Sequence, residues 1–173
     1  IQGDMQAGER KMIGRILTFG NLDVANVMVP QVEVTAVDED ATIEDVIERI
    51  KTDGHSSILV YKEEIHHIVG VVNARDIIAI GDAAHGLLKD KSELIRAPYF
   101  VPESKPADDL LEEMQKEKLK LAVAVDEYGG CVGVVTMEDL LEEIVGEISD
   151  EYNVDEARYY QRLMDGVILV EAR

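Results

Sequence analysis

Only one cysteine, Cys131, occurs in the 173 residues, so no internal disulfide can staple the chain. That suits a reducing compartment, and Cys131 reads as a small apolar residue of a buried strand rather than a reactive thiol. Cations are scarce as well: 17 Lys and Arg stand against 36 Asp and Glu, a formal net charge of −19. Such a balance excludes nucleic acid as a partner, because little on the surface could neutralise phosphates, and it argues against anionic membrane surfaces. No apolar run approaches the roughly 18 residues needed to span a bilayer. The start, Ile1-Gln-Gly-Asp4, has neither the basic nor the apolar region of a signal peptide. The stretch is therefore expected to be soluble. It starts without Met and ends within what reads as a strand, Val167 to Arg173, so an excised piece of something longer is expected. Missing too are the phosphate loop GxxxxGK[ST], the nucleophile elbow GxSxG, the zinc motif HExxH and the DxDxDG calcium loop. His66 and His67 are adjacent and share no helix or sheet face; with His55 and His85 they read as solvent-facing.

What the chain does have is an internal repeat. Gly133 to Leu140 reads GVVTMEDL, and Gly70 to Ile77 reads GVVNARDI, the two glycines 133 − 70 = 63 positions apart. In each copy a β-branched run predicts a short buried strand, and the residues after it open a helix. Thr136 and Asp139 fall on the first turn of one helix, Asn73 and Asp76 on that of the other. An apolar share of 46% is ordinary for a globular protein. Halves of about 60 residues bury little surface alone, so the two should pack against each other.

Patterning fills in the rest. Residues 1–28 read as helical, with Met12, Ile13, Ile16 and Leu17 on one stripe and a break at Phe19-Gly20-Asn21. The first repeat then predicts a strand over Val32–Val37, a helix over Thr42–Ile50, strands over Ser57–Tyr61 and Ile68–Val72, and a helix over Arg75–Ile80. The second predicts a strand at Tyr99–Val101, a helix from Pro106 through Met114, strands over Leu121–Val125 and Cys131–Val135, and a helix over Met137–Ile148. Gly129-Gly130 reads as a hairpin turn. The acidic run through Glu142, Glu143, Glu147, Asp150, Glu151, Asp155 and Glu156 reads as a solvated face without a metal cage. The fold class is mixed α/β (α+β), two β-α-β-β-α repeats in a pseudo-twofold pair with an N-terminal helix.

That order of elements resembles two CBS domains forming a Bateman module. The run from Asp126-Glu-Tyr-Gly-Gly130 through Gly133–Ile148 to Asp150-Glu-Tyr152 is similar to the magnesium and cobalt efflux CorC/haemolysin-C family, related to the cyclin-M transporters. Glu9–Ile13, Val27-Met-Val-Pro30 and Asp165–Val170 fit the same family's flanking segments. The resemblance implies a helical linker over 1–26 after a membrane domain, CBS domains over 27–81 and 94–148, and a linker over 82–93. It also implies an acidic linker and the start of a transporter-associated domain over 149–173. The whole would be the cytoplasmic regulatory part of an integral membrane protein, a homodimer with no catalytic role. It would bind AMP, ADP or ATP, with Mg2+ as a companion ion.

The corner chemistry fits such a ligand. The first turn of a helix offers unpaired N–H groups and a positive dipole end to a phosphate. A carboxylate there can accept hydrogen bonds from both ribose hydroxyls. The same spacing is also a capping box, and spacing alone favours plain capping. The repeat and the resemblance reverse that preference for Asp139, but leave Asp76 evenly balanced, because Asn73 replaces the hydroxyl. Carried over by position, Thr136, Glu138 and Asp139 would face His55-Ser56-Ser57 and the segment from Val29 to Val34. Asn73, Arg75 and Asp76 would face Lys118-Leu119-Lys120 and residues 97–99. The second set has the cations, whereas the first has the complete Thr/Asp pair and is favoured for the ribose. Two rivals stand beside this reading: a ligand-free dimerisation scaffold, and a nucleotide hydrolase using Glu138 or Asp139 as base.

Overall fold

The computed structural model describes residues 7–81 and 85–146, together with the backbone of two short strands at 161–162 and 168–169. Helix α1 (Ala7–Phe19) ends where expected, and α2 (Val24–Val27) follows Asp23, whose N–H donates to Asn26 Oδ1 at 3.0 Å. Strand β1 (Val29–Pro30) comes next. The alternation over Val32–Val37 does not yield one strand. Pro30 holds φ at −60° and leads into a 3-10 turn over Gln31–Glu33, closed by Val34 N–H donating to the Gln31 carbonyl at 3.1 Å. Only β2 (Ala36–Asp38) is extended, and Val32 is left 90% exposed.

Helix α3 (Ile43–Asp53) starts at Thr42, whose Oγ1 accepts from Asp45 N–H at 3.1 Å, and stops at Gly54 in the left-handed region. Strands β3 (Ser57–Lys62) and β4 (Glu64–Asn73) form a tight hairpin around Glu63, and α4 (Ala74–Ile80) closes the repeat. Strand β4 begins four residues before the expected Ile68, because a one-residue turn (Glu63, φ 62°) lets polar residues enter it directly. The second repeat has the same order: β5 (Phe100–Pro102), α5 (Ala107–Glu117), β6 (Leu121–Val125), β7 (Cys131–Thr136) and α6 (Met137–Val145). Helix α6 stops at Gly146, φ 82°, short of the expected Ile148; Ser149–Glu156 lie outside the described residues. Beyond them, β8 (Gln161–Arg162) pairs antiparallel with β9 (Ile168–Leu169).

The first sheet runs β2-β3-β4 and the second β1-β7-β6-β5. In each, the repeat's first strand is parallel to the second and the third is antiparallel to it. The outer edge of each third strand is covered by the segment ahead of the other repeat: Val29 pairs with Val134, and Arg96 bridges to Val71. These crossings explain the two repeated glycines. A Cβ on Gly133 would lie 2.5 Å from the Val29 carbonyl oxygen; one on Gly70 would lie 2.0 Å from the Ile95 side chain and 3.3 Å from the Arg96 carbonyl oxygen.

The cores follow the same exchange. Phe19, Val24 and Val27 pack with Val101, Leu110, Met114 and Leu140 of the second repeat. Leu88 and Leu94 of the linker pack with Ile43, Val46 and Ile77 of the first. Each fully buried Leu, Ile or Phe contributes about 1.5–3 kcal/mol of transfer free energy, so neither connecting segment is an appendage. A third cluster joins the repeats: Leu59, Ile68 and Val71 against Val123, Cys131 and Val134.

Candidate functional site

Two corners, built alike, diverge in detail. At the second, Thr136 ends β7 and caps α6. Its Oγ1 accepts from Asp139 N–H at 3.1 Å and donates to Asp139 Oδ2 at 2.7 Å, while Thr136 N–H donates to the same oxygen at 2.8 Å. The capping box is therefore formed, and it engages one carboxylate oxygen. Asp139 Oδ1 makes no hydrogen bond with any described residue. Capping and ligand binding are thus compatible at this corner, one oxygen for each.

At the first corner, Asn73 makes no side-chain cap; its Oδ1 accepts from Ser57 Oγ at 2.8 Å. Asp76 is held by Arg96, whose Nε donates to Oδ2 and Nη2 to Oδ1, both at 2.8 Å. The Arg96 hydrogen bonds keep the Asp76 carboxyl below the usual aspartate range. Arg96 occupies in this half the place that Val29 holds in the other, each pairing with the Gly-Val-Val strand.

A cavity of about 450 Å³ opens at the second corner. Its apolar wall is Val29, Val34, Leu59, Leu121 and Val134, part of the cluster that joins the repeats. Its polar wall brings Thr136, Glu138 and Asp139 together with His55, Ser56 and Ser57 and with Glu33 of the Val29–Val34 segment, as the carry-over expected, and adds Thr35 and Lys120. A second cavity, about 230 Å³, is lined by Asn73, Arg96 to Tyr99, and Lys118 to Leu121. Arg75 and Asp76 are not among its lining residues, although the carry-over had them facing Lys118 to Lys120; Asp76 pairs with Arg96, which does line it. Ser57, Lys120 and Leu121 line both cavities. Sequence reasoning missed Arg96, Thr35 and Leu59. The first two lie just outside the segments carried over, and Leu59 reads only as core.

Other candidates resolve simply. His55, His66, His67 and His85 are exposed, His66 Nδ1 lying 3.0 Å from Gln31 Nε2 and His85 Nδ1 2.7 Å from Glu44. Burial pushes the Cys131 thiol up, away from the reactive thiolate. Gly129 has φ +83°, and Asp126 Oδ1 accepts from the N–H groups of Tyr128 and Gly130, making the expected turn. Among the described residues no three His, Cys, Asp or Glu side chains gather to hold a metal ion, and no helix is long and apolar enough to cross a membrane.

The chain matches the CBS domain family over residues 24–82 and 92–146. It is 38% identical to a UPF0053 protein of Mycobacterium tuberculosis, over 99% of this chain and 40% of that one. It thus spans about 40% of the length of such a curated relative. The solved CBS domain of a bacterial CNNM/CorC family Mg2+ transporter in complex with ATP is 39% identical, with TM-score 0.74, covering 81% of this chain and 99% of that one. A CBS-domain pair with bound AMP from Klebsiella pneumoniae is 29% identical, with TM-score 0.64, over 72% and 99%. The repeat, its exchanged edge strands and these similarities lead to one assignment: the chain belongs to the CBS-domain family, as a CBS pair of the CNNM/CorC Mg2+ transporter type.

Proposed function

We propose that this CBS pair binds an adenine nucleotide in the larger cavity and passes its occupancy to a membrane domain of a longer divalent-cation transport protein. The observation that carries the reading is the half-used carboxylate of Asp139, a residue that lines an open, partly apolar cavity and whose cap takes Oδ2 and leaves Oδ1 without a hydrogen bond to any described residue. A volume of about 450 Å³ lies within the range of small-ligand pockets. Adenine fits between Val29, Val34, Leu59 and Val134, with Asp139 Oδ1 accepting from the ribose hydroxyls and Thr136, Ser56 and Ser57 close to the sugar and first phosphate. Asn73, Arg75 and Asp76 have no ribose role in this reading, since Arg96 already occupies the carboxylate. The bound ATP and AMP of the two solved relatives support the ligand class.

The cavity takes walls from both repeats and rests on the cluster between them. A ligand there favours whichever arrangement of the repeats it binds more tightly, and by linkage the membrane domain alters nucleotide affinity by the same factor. The module is regulatory, works as a homodimer on the cytoplasmic side, and performs no catalysis.

The test is calorimetric titration with AMP, ADP and ATP, each with and without Mg2+. Asp139→Ala should weaken binding by about 1.5–3 kcal/mol, the scale of a charge-assisted hydrogen bond. Asp76→Ala should leave it within experimental error. Binding that survives Asp139→Ala and disappears with Asp76→Ala would move the site to the other corner; no binding, and no nucleotide-induced rise in melting temperature, would leave a scaffold.

A further inference from the structure

The two cavities differ in charge and meet at shared residues. The walls of the larger one carry three carboxylates, Glu33, Glu138 and Asp139, against one lysine, Lys120. The smaller has Arg96, Lys118 and Lys120 and no carboxylate among its lining residues. Lys120 belongs to both, and its carbonyl accepts from Met137 N–H at 3.0 Å, which pins it beside the Thr136 corner. Neither Lys118 nor Lys120 makes an ion pair with a described residue. Lys118 also sits in the left-handed region (φ 55°) that ends α5, where the matching position ending α3 is Gly54. A side chain at that backbone position is uncommon and costly, and here it supplies a cation to the smaller cavity.

We infer that the two cavities act as one binding channel, in which the phosphate tail of a nucleoside polyphosphate leaves the larger cavity past Lys120 and ends in the smaller one near Lys118 and Arg96. This rests on the nucleotide reading above and adds a selectivity to it. A nucleoside monophosphate uses only the larger cavity, whereas a triphosphate alone reaches Lys118 and Arg96. The acidic walls would repel a tail that stayed beside Glu33 and Glu138, so the direction follows from charge. Arg96 uses Nε and Nη2 on Asp76 and keeps Nη1 for an incoming phosphate.

The experiment compares AMP and ATP on the intact chain, by calorimetry at fixed ionic strength with Mg2+ present throughout. The variants are Lys118→Gln, which alters the smaller cavity alone, and the double variant Lys118→Gln/Lys120→Gln, with Lys51→Gln on α3 as a charge control outside both cavities. Both cavity lysines are exposed, so folding should be retained, and melting temperatures verify that. The expected result is an ATP affinity at least about tenfold lower in the double variant and lowered in Lys118→Gln, AMP affinity within about twofold in Lys118→Gln, and no change in the ATP-to-AMP ratio for Lys51→Gln. Equal losses for AMP and ATP, an unchanged ATP affinity, or the same loss in Lys51→Gln would overturn the channel while leaving the nucleotide site in place. A parent chain that binds neither nucleotide would overturn the nucleotide reading itself, and the channel with it.

Discussion

At the residue scale, the informative contrast is between two aspartates that a repeat places at equivalent corners. Asp139 caps its helix through one oxygen, and Asp76 is taken at both by Arg96. The ion pair gives the first half its own acid sensitivity. Because Asp76 titrates below the ordinary aspartate value in the folded chain, its contribution to stability is complete above that ordinary value and is lost as pH falls through the lowered one. Both side chains are solvent-accessible, so the effect on overall stability is small, as for other exposed pairs. The prediction is therefore made for the titration itself. Arg96→Gln should return the Asp76 carboxyl towards the usual aspartate range, read from its carbon chemical shift by NMR. An unmoved Asp76 would mean that the guanidinium is not what holds it low. The corners also show what a sequence conveys at this scale. Thr136-x-x-Asp139 is a local code, and its cap forms as spacing dictates. Arg96 could not be read, because its relation to Asp76 depends on a strand crossing from outside the motif.

At the scale of elements, periodicity and turn residues gave most helices and strands to within a few residues, since capping and β-branching act locally. Two features escaped. The 3-10 turn at Gln31–Glu33 follows from the geometry of Pro30 rather than from polarity, and the exchange of leading segments between repeats is a long-range choice with no local signal. That exchange explains the course of α1. Phe19 is buried among second-repeat residues, and Arg15 Nη1 donates to the Val145 carbonyl at 2.7 Å, a cation at the C-terminal end of α6. Even so, the expected stripe is not covered: Met12, Ile13, Ile16 and Leu17 are 41%, 45%, 50% and 71% exposed, and Leu141 and Val145 on the adjoining α6 are 41% and 46%. Single exposed apolar residues are normal, but six on two packed helices form a surface that a second copy would bury. The chain should therefore sediment as a dimer at roughly tens of micromolar, a range suited to a standard-size interface, and Ile16→Glu should shift it to monomer without unfolding it. A parent chain that sediments only as monomer would remove the homodimer from the proposed function.

At the scale of the whole molecule, charge and binding site pull against each other. A module of net charge −19 repels phosphate ligands at a distance, and the larger cavity adds Glu33, Glu138 and Asp139 close by. No cluster of described residues is built to hold a metal ion, so a divalent cation would act by screening the carboxylates and by accompanying the phosphates. Two consequences follow at constant ionic strength. Millimolar Mg2+ should raise the melting temperature above that in matched NaCl, because a divalent ion collects near dense carboxylates more strongly than Na+ does. Mg2+ should also strengthen ATP binding more than AMP binding, because ATP brings more negative charge past the acidic walls before its tail reaches Lys120 and Lys118. Melting curves in the two salts, with and without each nucleotide, read both effects in one series. If the curves coincide in Mg2+ and NaCl and the nucleotides gain equally, the acidic surface is only a solvated face, and charge plays no part in choosing the ligand.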